Sequence, residues 1–128
     1  MKDKLALPML TAAEAEVMNV IWDRSPTSVS EIVERLPRDL AYTTVMTTVR
    51  ILQDKGFASK CGKRGRAFLY EAAVERDSVS GSMSHEIAKR IFGGSVKSLV
   101  LKLVQDGTIS ADDLAEVKQM IEELEGTR

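Results

Sequence analysis

Between Tyr42 and Tyr70 the chain orders hydroxyl and cationic side chains in a way that suits contact with a polyanion. Thr43, Thr44, Thr47 and Thr48 lie within one predicted helix, Tyr42 opens it, and Arg50 follows Thr47 by one short turn. Hydroxyl and guanidinium groups are the side-chain groups that meet base edges and phosphate oxygens in a DNA groove. β-branched threonine is stiff in a helix and lowers its propensity. Four of them together are explained more readily by a surface that meets DNA than by solvent alone. Thr43, Thr44 and Thr47 are assigned to base or phosphate contact, and Thr48, adjoining Val45 and Leu52, to packing. Arg50 has three readings: guanine O6/N7, a phosphate, or a pair with Asp54 at i+4. Tyr42 either presents its hydroxyl to phosphate or packs.

Downstream, Lys55 to Arg66 holds Lys55, Lys60, Lys63, Arg64 and Arg66 with no acidic residue, in a chain whose net charge is only -1. The positive charge is therefore local, as a footprint on a phosphate backbone requires. Lys60, Lys63, Arg64 and Arg66, punctuated by Gly62 and Gly65, read as a DNA-contacting wing. A solvated turn is the plain alternative.

The other chemically capable residues point nowhere else. His85 has no Cys, His or carboxylate set at ligand spacing, so it reads as a surface or helix-packing histidine. Cys61, the single cysteine, forbids an intramolecular disulfide, fits a reducing compartment, and reads as a small packing residue. Trp22 reads as core or junction packing. With no Gly-rich phosphate loop, no metal cluster and no Cys-His or Ser-His set, the chain is not expected to be an enzyme or to need a metal or cofactor.

The elements that must position these groups are punctuated clearly. Thr11-Ala-Ala-Glu14 and Ser28-Val-Ser-Glu31 are capping boxes that open two helices. The first carries Val17, Met18, Ile21 and Trp22 inward and ends at Ser25-Pro26; the second carries Val29, Ile32, Val33 and Leu36 and ends at Pro37. A third helix from about Tyr42 to Lys55 turns Val45, Val49 and Leu52 inward and stops at Gly56. Phe57 to Cys61 and Ala67 to Glu71 then read as strands, with Gly62 to Gly65 as the turn between them. Three helices followed by a basic-tipped hairpin make a winged helix-turn-helix. From Val74 the period is helical again, with breaks at Gly93-Gly94 and Gly107 and a cap at Ser110-Ala-Asp-Asp113.

Composition agrees with this plan. A chain of 128 residues, 44% hydrophobic and 29% charged, is an ordinary globular protein of one domain or a small domain with a helical appendix. It holds no apolar run near the roughly 20 residues of a membrane span. The start, Met1-Lys-Asp-Lys-Leu-Ala-Leu-Pro8, lacks the apolar core of a secretory signal, so a cytoplasmic location is expected. Residues 1 to 74 hold 11 Lys+Arg against 9 Asp+Glu, and residues 75 to 128 hold 7 against 10. The basic half is thus the candidate DNA partner. We divide the chain into a winged-helix DNA-binding domain, 1–73, and a helical dimerisation domain, 74–128. Ser95 to Asp106 is apolar on more than one face, which one subunit's tail cannot hide. Leu99, Leu103, Leu114, Val117 and Ile121 are therefore expected at the interface of a homodimer.

Leu10-Thr-Ala-Ala-Glu-Ala-Glu-Val-Met-Asn-Val-Ile-Trp22, Tyr42-Thr-Thr-Val-Met-Thr-Thr-Val-Arg-Ile-Leu-Gln-Asp-Lys-Gly-Phe57, Gly93-Gly-Ser95 and Ser98-Leu-Val-Leu101 together resemble the BlaI/MecI family of bacterial winged-helix repressors. The likeness runs from about Leu10 to Leu124. It implies a homodimer on a palindromic operator of double-stranded DNA, repressing nearby genes in the cytoplasm, among them genes of β-lactam resistance or related stress. In β-lactam-responsive members a membrane sensor-protease system cuts the repressor in its dimerisation module. Their Asn-Phe junction falls on Lys102-Leu103 here, a departure at the cut itself. Related copper-responsive repressors end in a cysteine-rich hook, whereas this chain has no cysteine after Cys61. A winged-helix module for protein-protein contact, without sequence-specific DNA binding, is the alternative function, and salt-dependent binding to a palindromic duplex separates the two.

Overall fold

The structure is a computed structural model that describes residues 8–126. The segment ahead of Pro8, and Thr127 and Arg128 at the other end, lie outside the described residues. Six helices and one hairpin follow in the order α1 (Ala12–Asp23), α2 (Val29–Arg35), α3 (Tyr42–Asp54), β1 (Ala58–Arg64), β2 (Ala67–Ala72), α4 (Arg76–Ile91), α5 (Val96–Gln105) and α6 (Ala111–Gly126). The described chain forms two compact units, one ending at Ser84 and the other beginning at His85. That division lies beyond the 73/74 boundary set from sequence, because Val79 and Met83, in the first part of α4, pack on the core of the first unit.

Both capping boxes close as spelled in the sequence. Thr11 Oγ1 accepts from Glu14 N–H at 3.2 Å and Glu14 Oε1 accepts from Thr11 N–H at 2.9 Å. Ser28 and Glu31 repeat the exchange at 3.2 and 2.9 Å. Such a cap contributes about 1 kcal/mol to its helix. The three helices bury Val17, Met18, Ile21, Ile32, Val45, Val49 and Leu52 in one core, and Phe57, just ahead of the hairpin, and Tyr70 on β2 complete it. Trp22 is fixed at its rim, where its Nε1–H donates to Val74 O at 2.9 Å. Gly56, at φ +86, supplies the left-handed residue that ends α3.

The hairpin departs from the sequence reading. β1 continues through Gly62 to Arg64, and a bulge between Lys60 and Gly62 leaves Cys61 as the extra residue. Cys61 is accordingly exposed and not the packing residue expected. The turn shrinks to Gly65-Arg66, with Arg64 paired to Ala67. Positive φ falls on Gly65 alone, at +64, the pattern of a type II′ turn. Glycine in Gly62 therefore marks the bulge, where the strand twists, and not the turn. The sequence also missed a third strand position: Thr27 and Tyr70 exchange backbone hydrogen bonds of 3.0 and 2.8 Å, tying β2 to the loop ahead of α2.

In the second unit Ser95 caps α5 through Ser98 N–H at 3.0 Å and Ser110 caps α6 through Asp113 N–H at 3.0 Å. Neither helix has a buried residue. Among the described residues no helix is long and apolar enough to cross a membrane, and no cluster of His, Cys, Asp and Glu is placed to hold a metal.

Candidate nucleic-acid interface

The inward face of α3 sets its outward one. Val45, Val49 and Leu52 are fully buried, so the residues opposite on the helix, Thr43, Thr47 and Arg50, must face solvent, and all three are exposed. Asp54 continues the same stripe and ends it with an acid. Thr44 is exposed on the flank and Thr48 is half-buried. Arg50 forms no ion pair with Asp54 among the described residues.

The first turn of α3 is open to an anion. Its N-cap is Ala41, which offers no side-chain bond to the free backbone N–H groups. Those donors, with Tyr42, Thr43 and Thr44 exposed in the same turn, lie at the positive end of the helix dipole. A notch beside this end is lined by Ser28, Ser30, Tyr42, Met46, Arg66 and Phe68. It joins the start of α2, the start of α3 and the start of β2. Ser30 was not singled out from the sequence, since nothing local distinguishes it from any other exposed serine.

The hairpin cations divide by partner. Lys55 Nζ lies 2.8 Å from Glu14 Oε1, a carboxylate buried to 6% exposure, so Lys55 is a strut between α1 and α3 and leaves the footprint counted from sequence. Burial pushes the Glu14 carboxyl up, but the Lys55 ammonium and the Thr11 donors outweigh it and hold the group below its ordinary value. Arg64 reaches across to α2, its guanidinium 2.8 Å from Glu31 Oε2. Glu31 is held below its ordinary value first by the Ser28 N–H and then by the Arg64 charge. One of its oxygens thus caps α2 while the other holds the wing. Lys60, Lys63 and Arg66 have no carboxylate partner among the described residues. The ammonium groups of Lys60 and Lys63 sit 3.8 and 4.9 Å from the ring centre of Phe68, an exposed aromatic on β2. The ring gathers both cations on one face of the hairpin at about 0.5–1 kcal/mol each. Beneath them Tyr70 is buried, which raises its phenol; the field of Tyr42 adds to the rise and that of Arg50 opposes it.

In the second unit four of the five residues expected at a dimer interface are exposed. Leu103 and Leu114 are each 38% exposed, Val117 and Ile121 are more so, and Leu99 is half-buried. Val96, Val100, Leu101, Met120 and Leu124 extend the exposed apolar surface beyond the set named from sequence.

A trihelical core with a bridged hairpin, a hydroxyl-rich third helix turned outward and unpaired cations beside it define a winged-helix DNA-binding protein. Residues 10–123 match the family described as Penicillinase repressor. The Penicillinase repressor of Bacillus licheniformis is 29% identical over 119 residues, covering 91% of this chain and 92% of that protein. The Transcriptional regulator BlaI of Mycobacterium tuberculosis is 32% identical over 123 residues, 93% of this chain and 87% of its own, and the Methicillin resistance regulatory protein MecI of Mammaliicoccus sciuri is 30% identical over 114 residues, 88% and 92%. The solved DNA-binding domain of the repressor BlaI superposes with a TM-score of 0.50 at 30% identity, over 56% of this chain and 89% of that one. The chain belongs to the penicillinase repressor family, whose members are transcriptional repressors and not enzymes.

Proposed function

We propose that the chain acts in the cytoplasm as a homodimer that represses genes by binding a palindromic operator, with α3 of each subunit in the major groove of one half-site and the hairpin on the flanking backbone. The observation that carries this reading is the uncovered apolar surface of α5 and α6, two helices with no buried residue between them. A monomer leaves that surface in water, whereas a second copy removes it. One reader covers few base pairs and binds near the non-specific level; joining two makes the second contact intramolecular and raises avidity by about 10²–10⁴. Relatives named for penicillinase and methicillin resistance support a reading in which the regulated genes belong to β-lactam resistance or a related stress response. A membrane sensor-protease is the upstream partner that family membership suggests, although Lys102-Leu103 departs from the Asn-Phe junction at which it cuts.

Leu103→Asp tests the joint. An aspartate there meets apolar surface with no partner, which costs several kcal/mol when buried. The expected product is a folded monomer that binds a half-site weakly, read by sedimentation and by operator binding. A wild type that is monomeric and binds the full operator as tightly as any dimer refutes the reading.

A further inference from the structure

The threonines of α3 are not chemically equivalent. Thr47 Oγ1 lies 2.9 Å from Thr43 O, and Thr48 Oγ1 lies 2.9 Å from Thr44 O. A carbonyl oxygen has no proton to give, so in each pair the hydroxyl is the donor and its one proton is used inside the helix. Thr48 is half-buried, which leaves Thr47 as the exposed hydroxyl of the two. Towards solvent it offers lone pairs and a methyl group, and no donor. The hydroxyls of Thr43 and Thr44 have no hydrogen bond among the described residues and keep their protons for acceptors such as phosphate oxygens.

Building on the placement of α3 in the major groove, we propose that Thr47 is an acceptor that reads an exocyclic amino group, adenine N6 or cytosine N4, at one position of each half-site. The major groove carries no other base donors: guanine shows N7 and O6, and thymine shows O4 and its methyl. Opposite any of those oxygens or ring nitrogens, a hydroxyl whose proton is committed sets acceptor against acceptor. To donate instead, Thr47 must give up its bond to Thr43. One hydrogen bond of this kind sets a preference of about five- to tenfold per half-site.

The test uses the full chain. Its preferred duplex is first selected from a randomised pool, and binding is then measured for wild type, Thr47→Ser and Thr47→Val, with circular dichroism to confirm that each variant is helical. Thr47→Val should lose about five- to tenfold of discrimination at one position per half-site, while Thr47→Ser, which keeps the oxygen, retains it. On wild type, unsubstituted purine in place of adenine, or 2-pyrimidinone in place of cytosine, removes the amino group alone; the analogue that reproduces the valine effect tells which base is read. Should Thr47→Val misfold, the analogue arm decides by itself. Discrimination kept by valine and lost by serine means the methyl meets thymine, and overturns the proposal. Equal loss on every sequence overturns it as well, by making Thr47 a backbone contact. A wild type that selects no sequence removes the operator reading itself, a failure distinct from either.

Discussion

The salt dependence of DNA binding can be worked out from which cations already have partners. Lys55 is held by Glu14 and Arg64 by Glu31, whereas Arg50, Lys60, Lys63 and Arg66 have no carboxylate among the described residues. Taking those four as phosphate contacts gives about eight for a dimer, and at about -0.9 per contact the slope of log K against log salt is about -7. Between about 50 and 200 mM salt, affinity should then fall by roughly 10⁴. Arg66→Ala removes one contact per subunit and should flatten the slope by about 2, with a similar loss of affinity on operator and random duplexes. Fluorescence anisotropy on a labelled duplex across a salt series gives both slopes. The reasoning is refuted if Arg66→Ala and Lys63→Ala each leave the slope unchanged, because the hairpin then lies off the phosphates.

Two further outcomes concern the scaffold that presents this face. Lys55→Met leaves the Glu14 carboxylate buried without its ammonium and should cost about 2 kcal/mol in urea unfolding at pH 7. Because Glu14 is held below its ordinary 4.5, its contribution is fully present above that value and is lost as pH falls through the lowered one. The gap between wild type and variant should therefore narrow on acidification, and a gap that is constant from neutral pH to about pH 3 would contradict the pairing. Trp22→Phe removes the donor to Val74 O and should cost about 1–2 kcal/mol; an unchanged midpoint in denaturant, followed by circular dichroism, would show that the bond adds nothing.

The local code was legible where its physics is local. Capping boxes act across three residues, and apolar periodicity across one or two turns, so Thr11/Glu14, Ser28/Glu31 and the inward stripe of α3 could be written down before any coordinates. Burying Val45, Val49 and Leu52 obliges Thr43, Thr47 and Arg50 to face out, which is why the exposed face of α3 was legible too. Tertiary structure decided what lies between distant segments. No rule of spacing joins Lys55 to Glu14, Arg64 to Glu31 or Thr27 to Tyr70, since each pair depends on how helices and hairpin pack; the two ion pairs determine which cations keep a carboxylate partner. In Gly62 the sequence signals a bulge and a turn alike, and only the pairing register separates them. The commitment of the Thr47 proton to Thr43 lay within reach of sequence, at i–4, but the same hydroxyl could equally have faced solvent. The rotamer settled it, and rotamers are chosen by the packed helix and not by the string of residues.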